Sequence, residues 1–243
     1  MMALPKLDVP IYDTTLPSGK RISFRPFLVK EEKILLMASQ AKDEEAILSG
    51  IIQILNNCVT DKIKVTDLPV YDVEFLFLQL RAKSVGEIIE LRYQCANKLE
   101  SGEPCRMKSD YTINLMDIKP TVDPNRNNKV QLTDKIGVTL QDPKFGLFNK
   151  FKNKTSDNVG EVVNLIMEDC IQSVYDTNNV YYAKDTPKEE LKEFVDSLNP
   201  NQEKLIQAYF KTMPKIEYPL NFHCPKCQHE EVIMLQGLKD FFS

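Results

Sequence analysis

Four of the six cysteines form two pairs that lie far apart in the chain, and they limit the fold more than any other feature. The first pair is Cys95 and Cys105, and the second is Cys224 and Cys227 in a Cys-Pro-Lys-Cys segment. Each pair stands between two stretches whose composition is typical of β-strands. These stretches are residues 91–93, 110–115, 218–222 and 231–235.

A strand, a turn that carries cysteines and a returning strand, used twice, is the pattern of a zinc ribbon. Four thiolates give Zn²⁺ a closed tetrahedral shell with no position for water. We therefore expect a structural Zn²⁺ on Cys95, Cys105, Cys224 and Cys227. It would join residues near 90–116 to residues near 217–236 across a long insertion.

Two other interpretations of these cysteines stay open at this stage. They are four buried free thiols, which are common in protein cores, and a redox Cys-x-x-Cys motif. The Cys95–Cys105 spacing is wider than usual for a zinc ligand pair, although Gly102 within it favours a turn. His223 and His229 flank the second pair, and we expect them not to bind the metal.

The composition indicates a folded domain with no general attraction for nucleic acid. The net charge is −4, and 42% of the residues are hydrophobic. No apolar stretch approaches the ~20 residues of a membrane span, and the first residues lack the apolar region of a signal peptide. We expect a soluble protein in a reducing cytoplasm, where clustered cysteines bind metal more often than they form disulfides. Cys58 and Cys170 fall in helical patterns and are predicted to be core residues.

The N-terminal part is predicted to be a β-hairpin followed by helices. Residues 11–15 and 20–24 flank a Pro-Ser-Gly turn signal. Helical patterns then cover residues 28–85. The last of these helices, Tyr71–Ser84, is apolar on nearly all sides and is predicted to be the central helix of this part.

The insertion is predicted to contain a second hairpin and three helices. Residues 117–128 indicate a connector, and alternating apolar residues from Val130 to Leu140 predict the hairpin. The helices are predicted over residues 156–175, after a Thr186 capping box and after an Asn199 cap.

The predicted fold class is α+β. It combines an N-terminal β-hairpin and helical part, a split four-cysteine zinc ribbon, and an inserted β-hairpin plus helices. The predicted division is 1–87, 88–118 with 217–236, 119–216, and a 237–243 tail.

Signals for catalysis are missing from the sequence. It has no glycine-rich phosphate loop and only two histidines, both beside the cysteines. We therefore expect no enzyme and no small-molecule substrate. Basic and aromatic residues alternate in Lys144–Lys154, which raises the alternative of a zinc-ribbon module that binds nucleic acid. A loop whose aromatic residues pack on the core is the favoured interpretation there, because the chain is acidic.

Three segments of the chain are informative about its family, namely Asp8–Tyr12, Phe24–Lys33 and Asp72–Glu87. They resemble the T4-type phage baseplate hub assembly protein family, and the resemblance is best over residues 1–95. Members of this family are small cytoplasmic phage proteins needed to build the central hub of a contractile-tail baseplate. The resemblance implies that the chain binds other phage baseplate hub proteins during tail assembly. It implies a location in the host cell cytoplasm or in the virion baseplate. The candidate binding surfaces are Phe24–Lys33 and the exposed edge of the Tyr71–Ser84 helix.

Overall fold

The computed structural model describes residues 7–40, 44–147 and 159–240, and it is a mixture of helices and small sheets. It confirms the α+β class. The strands are β1 (Tyr12–Thr15), β2 (Arg21–Phe24), β3 (Ile88–Gln94), β4 (Lys108–Asn114), β5 (Pro120–Thr121), β6 (Lys129–Gln131), β7 (Gly137–Leu140), β8 (Ile171–Tyr175), β9 (Val180–Tyr182), β10 (Lys215–His223) and β11 (Glu230–Gln236). The helices are α1 (Val29–Gln40), α2 (Glu44–Cys58), α3 (Val70–Ser84), α4 (Val159–Cys170), α5 (Lys188–Asp196), α6 (Pro200–Lys211) and α7 (Gly237–Asp240).

The chain divides into two compact units. The ribbon unit comprises Met1–Val65, Tyr71–Thr121 and Lys215–Ser243, so it is built from both ends of the sequence. The insertion unit comprises Thr66–Val70 and Val122–Pro214. The finer division into four segments stays a prediction. In the described ranges, no helix is long and apolar enough to cross a membrane.

The ribbon unit begins with the predicted hairpin. Strands β1 and β2 pair antiparallel, with Tyr12 opposite Phe24. The turn closes through a bond from the Leu16 N–H to the Lys20 carbonyl, and Gly19 adopts the φ of +87° that favours glycine. The hairpin turn is fixed to α3, because the Ser18 N–H and hydroxyl both donate to the Asp72 carboxylate at 3.0 and 2.5 Å.

A buried ion pair fixes the start of α1. The Glu31 carboxylate is completely buried and accepts from Arg25 Nη2 at 3.0 Å and from the Leu28 N–H at 2.9 Å. The same guanidinium donates to the carbonyl of Asn57 near the end of α2. One charged pair therefore connects the end of β2 with α1 and α2.

Helix α3 is the central helix that the sequence predicts. Nine of its 15 residues are buried, including the Asp72 carboxylate that holds the hairpin turn. Its C-terminal half packs on the strands of the cysteine hairpins through Leu78 and Ala82, against Ile89, Leu91 and Ile113. Little of α3 is left for a partner, so its predicted exposed edge is narrow.

The insertion unit is built around a four-stranded sheet in the order β6-β7-β8-β9. The predicted hairpin corresponds to β6 and β7, which pair with Val130 opposite Val138. Its buried core combines sheet residues with residues of α4, α5 and α6. The core residues are Leu132, Val138, Leu140, Met167, Ile171, Val195, Ile206 and Tyr209.

Two local predictions for the insertion are wrong. The helix predicted to reach residue 175 ends at Cys170, and Ile171–Tyr175 forms strand β8, which pairs with β7 and β9. Thr186 does not cap α5, because its hydroxyl donates to the Tyr182 carbonyl instead. The predicted connector over residues 117–128 is largely irregular and contains the boundary between the two units, although it also includes the two-residue strand β5, whose Thr121 pairs with Lys215 of β10. By contrast, the Asn199 cap is present as a full capping box with Gln202.

Only the first part of the basic and aromatic stretch can be described. Lys144–Leu147 lies in the structure, whereas residues 148–154 fall outside the described ranges. Phe145 is buried, and its N–H donates to the Leu68 carbonyl at 2.8 Å within the insertion unit. This aromatic residue therefore belongs to the core and does not offer a stacking surface.

Candidate metal centre

The first cysteine pair lies where the β3–β4 hairpin opens into its turn. The strands pair from Ile88 opposite Asn114 to Gln94 opposite Lys108. Beyond them the Cys95 N–H donates to the Met107 carbonyl at 2.8 Å. A narrower loop follows, closed by Lys98 opposite Pro104 and by a turn at Gly102 with φ of +83°. This inner loop explains how a wide sequence spacing brings Cys95 and Cys105 together.

The second pair lies in the tighter turn of the β10–β11 hairpin. These strands pair from Glu217 opposite Gln236 to His223 opposite Glu230. The Cys224 N–H donates to the His229 carbonyl, and the Gln228 N–H donates back to the Cys224 carbonyl, both at 2.9 Å. The turn thus places Cys224 and Cys227 on one side of the hairpin tip.

The two hairpin tips bring all four thiols together. The Sγ atoms of Cys95, Cys105, Cys224 and Cys227 lie within 4.8 Å of one another. The Cys95–Cys227 and Cys105–Cys224 sulfur atoms are each 3.7 Å apart. A disulfide would need about 2.05 Å, so these are free thiols that could bind one metal ion.

The backbone after each pair adopts a conformation that directs amides at sulfur. Arg106 and Gln228, which follow the second cysteine of each pair, have φ of 55° and 57° and are the non-glycine residues of the described chain with positive φ. This conformation costs an ordinary residue about 1 kcal/mol or more. The N–H groups of Met107 and His229 then donate to the sulfur atoms of Cys105 and Cys227. The two tips therefore repeat one local geometry.

A small apolar cluster encloses the thiols. Cys95, Cys105 and Cys224 are buried and pack with Phe222, while Tyr111 covers one side. The Tyr111 hydroxyl accepts the His223 N–H at 2.9 Å and donates to the His223 carbonyl at 3.1 Å. This side chain joins the two hairpins next to the sulfur atoms. If all four thiolates bound one ion, its tetrahedral shell would be complete.

A comparison with protein families identifies the chain. The family model described as T4 bacteriophage base plate protein matches residues 9–243. The chain belongs to this family. The match confirms the resemblance carried by the N-terminal segments, and it extends over the cysteine hairpins and the insertion. No curated protein and no solved structure matches the chain.

The protonation of the thiols in this base plate protein depends on local hydrogen bonds. Burial raises the pKa of Cys95 to about 12, because a thiolate is poorly solvated there. Burial acts in the same direction on Cys227, but the His229 N–H and the Asn97 side chain stabilise its thiolate and lower its pKa to about 6. The Cys227 thiol therefore loses its proton more readily than the Cys95 thiol.

The remaining candidates lie apart from the cluster. His223 Nδ1 is 3.2 Å from Glu230 Oε1, and His229 Nε2 is 3.8 Å from Glu231 Oε2. Neither imidazole joins the group of potential ligands found among the described residues. Cys58 and Cys170 are completely buried, as predicted, and desolvation raises the pKa of Cys58 to about 11.

The sequence indicated the four thiols that the structure brings together, but we did not predict the groups that support them. Asn97 Nδ2 lies 3.7 Å from the Cys227 sulfur, and Tyr111 links the hairpins. Asn97, Met107 and His229 each follow a cysteine by two residues, and their amides donate to that cysteine. This spacing is visible in the sequence and could have indicated them.

Proposed function

We propose that this base plate protein is a hub subunit or a hub assembly factor, and that it acts by binding other hub proteins during assembly of a contractile tail. The observation that carries the proposal is the family match over residues 9–243. The resemblance of the N-terminal segments to hub assembly proteins narrows it to the hub. In this role the protein works in the host cytoplasm or stays in the virion baseplate.

The described surface supports binding through α1 more than through the whole Phe24–Lys33 segment. Phe24, Phe27 and Glu31 are buried, so they stabilise the fold and are closed to a partner. Exposed apolar side chains lie in two groups at the ends of α1 instead, with the exposed Glu32 and Lys33 between them. They are Leu28 and Val29 at the start of the helix, and Leu36 and Met37 about two turns further on. Exposed apolar groups with charged neighbours suit a protein contact.

Affinity capture from infected cells tests this function. A tagged full-length chain should recover hub proteins of the tail, and a Leu36→Lys, Met37→Lys double variant should recover less if α1 takes part. Mass spectrometry of purified virions then separates a resident subunit, which stays, from an assembly factor, which leaves. Recovery of no tail or baseplate protein by the wild-type chain would overturn the proposal.

We also propose that the four cysteines of the cluster bind a structural Zn²⁺ ion. Four Zn–S bonds of about 2.3 Å in a regular tetrahedron separate the sulfur atoms by about 3.8 Å. The distances of 3.7 Å between Cys95 and Cys227 and between Cys105 and Cys224 fit this requirement. The amides that donate to sulfur would stabilise the thiolates that a metal needs. Bound zinc would supply a cross-link between the two hairpins.

Elemental analysis tests the metal directly. Protein purified without chelator should contain one zinc per chain, and Cys224→Ser should lower this content severalfold. Cys58→Ala is the matched control, because Cys58 is equally buried but lies outside the cluster. Wild-type protein without bound metal, or an unchanged zinc content in Cys224→Ser, would rule out zinc at these cysteines.

A further inference from the structure

Strand β11 differs from the other sheet edges of the described chain. Most of those edges are short or carry residues that discourage pairing, such as Pro120 in β5, Lys129 in β6, Arg92 in β3 and Lys108 in β4. Strand β11 has seven residues with no proline, lysine or arginine, and its pairing with β10 has no bulge. An edge of this kind is well suited to accept another strand.

The hydrogen bonds of the hairpin show which residues of β11 face outward. The Gln236 N–H donates to Asp240 Oδ2, and the His223 N–H donates to Tyr111, so neither is used between β10 and β11. Because antiparallel pairs alternate, Val232 and Met234 also direct their N–H and carbonyl groups away from β10. Their side chains are exposed as well, by 59% and 41%.

The charges beside this edge define the partner. Glu230 and Glu231 are exposed at the start of β11, and Glu217 lies opposite Gln236. Apart from Lys215 at the start of β10, the two strands contain no lysine or arginine. A strand with apolar residues flanked by Lys or Arg would complement both the apolar pair and the carboxylates.

We propose that β11 is extended by a strand of another baseplate protein, in which Lys or Arg flanks the apolar residues. This inference rests on the proposed function, because it specifies how the protein binds a hub partner. The backbone groups of Val232 and Met234 would provide the hydrogen bonds of the added strand. Their side chains and the neighbouring glutamates would select its sequence.

Site-specific cross-linking in infected cells tests the proposal on the full chain. A photoreactive amino acid at position 232 should cross-link to a peptide of one baseplate protein with apolar residues between Lys or Arg. The same residue at position 205 of α6, where Leu205 is exposed but belongs to no proposed binding surface, is the control for general exposure. Met234→Pro removes one outward N–H and keeps the β10 pairing, so it should lower the cross-link yield at least tenfold.

A second variant separates the loss of the edge contact from a loss of the folded structure. Val232→Lys places a positive charge at the edge and should weaken binding, assayed with the photoreactive group at position 230, whereas Leu205→Lys, at an exposed site on α6, should not. Met234→Pro and Val232→Lys should each keep the zinc content and the melting temperature of the wild type. Cross-linking to a second copy of the chain, or yields unaffected by Met234→Pro and Val232→Lys, would overturn the proposal. Affinity capture that still recovers hub proteins would then leave the proposed function intact.

Discussion

At the scale of single residues, one carboxyl group works against the stability of the protein. Glu74 lies on α3 and has no hydrogen bond or ion pair within the described ranges. Its Oε1 lies close to Gly237, 3.6 Å from the position that a Cβ would occupy. Burial raises its pKa from 4.5 to about 7, because the charged form is poorly solvated. The folded state therefore holds a proton that the unfolded chain releases.

Replacing Glu74 should consequently stabilise the protein in a pH-dependent manner. The wild type loses stability as the pH rises from about 4.5 to 7, where the folded protein binds more protons than the unfolded chain. We expect Glu74→Gln to raise the free energy of unfolding by roughly 2–3 kcal/mol at pH 8 and by little at pH 4.5. Urea unfolding at both pH values measures this. Glu90→Gln, at an exposed carboxylate, should change little, and equal effects at both pH values would contradict the explanation.

Glu31 should behave in the opposite way, because its charge is paired. Removing one partner of a buried ion pair leaves Arg25 without its carboxylate, which typically costs about 3–5 kcal/mol. We expect Glu31→Ala to lower the free energy of unfolding by that amount, measured by urea unfolding at pH 7. Glu32→Ala is the control, since Glu32 is adjacent and exposed. A loss below about 1 kcal/mol would show that the pair contributes little.

At the scale of elements, two similar capping signals have different outcomes. The Asn199 side chain accepts hydrogen bonds from the N–H groups of Asn201 and Gln202, whereas the Thr186 hydroxyl donates to the Tyr182 carbonyl. We expect Asn199→Ala to cost about 1 kcal/mol and Thr186→Ala clearly less. Thermal denaturation of both variants measures the difference. Equal losses would show that the Asn199 box adds nothing beyond an ordinary surface hydrogen bond.

Elements whose signals are local could be predicted from the sequence. The first hairpin, α3 and the Asn199 cap depend on neighbouring residues, and the structure contains all three. Strand β8 could not be predicted in this way, because Ile171 and Val174 also fit a helical period. Its pairing with β7 and β9 decides its conformation, and those partners lie elsewhere in the chain.

At the candidate site, too, local signals could be predicted from the sequence and non-local ones could not. The Cys224–Cys227 spacing indicated a ligand pair directly, and the structure brings Cys95 and Cys105 to the same place. The two-residue spacing of Met107 and His229 from a cysteine is visible in the sequence, but the positive φ of the intervening Arg106 and Gln228 is not. Neither residue type signals that conformation, so the backbone geometry of the two turns could not be predicted.

At the scale of the whole molecule, a metal bound by the four cysteines should raise the melting temperature of the ribbon unit, because it cross-links distant parts of the chain. The thiols of Cys95 and Cys227 are 132 residues apart in the chain, and a cross-link between them restricts the unfolded state strongly. We expect chelation to lower the melting temperature by roughly 10 °C and added Zn²⁺ to restore it. Scanning calorimetry measures the change. A melting temperature insensitive to chelator, in protein shown to lose its metal, would contradict a structural role.

Loss of the cluster should also change where a protease cuts. In Cys224→Ser we expect earlier cleavage near residues 119–121 and 213–216, where β5 and β10 close the insertion, while residues 44–84 stay protected. Limited proteolysis with mass spectrometry measures this. Cys58→Ala serves as the control for general destabilisation. An unchanged digestion pattern in the serine variant would show that the cysteines do not hold the ends of the insertion together.

The two parts of the ribbon unit are synthesised at different times, because they lie far apart in the sequence. A ribosome completes Cys95, Cys105 and the central helix long before it reaches Cys224, so the early half emerges with its thiols unmatched. A nascent chain that stops before Lys215 has two of the four sulfur atoms and cannot close the cluster. Closure of the cluster therefore distinguishes chains that contain both cysteine pairs from chains that contain only the first pair. During infection, assembly that depends on a closed ribbon would accept only chains whose translation has passed Cys227.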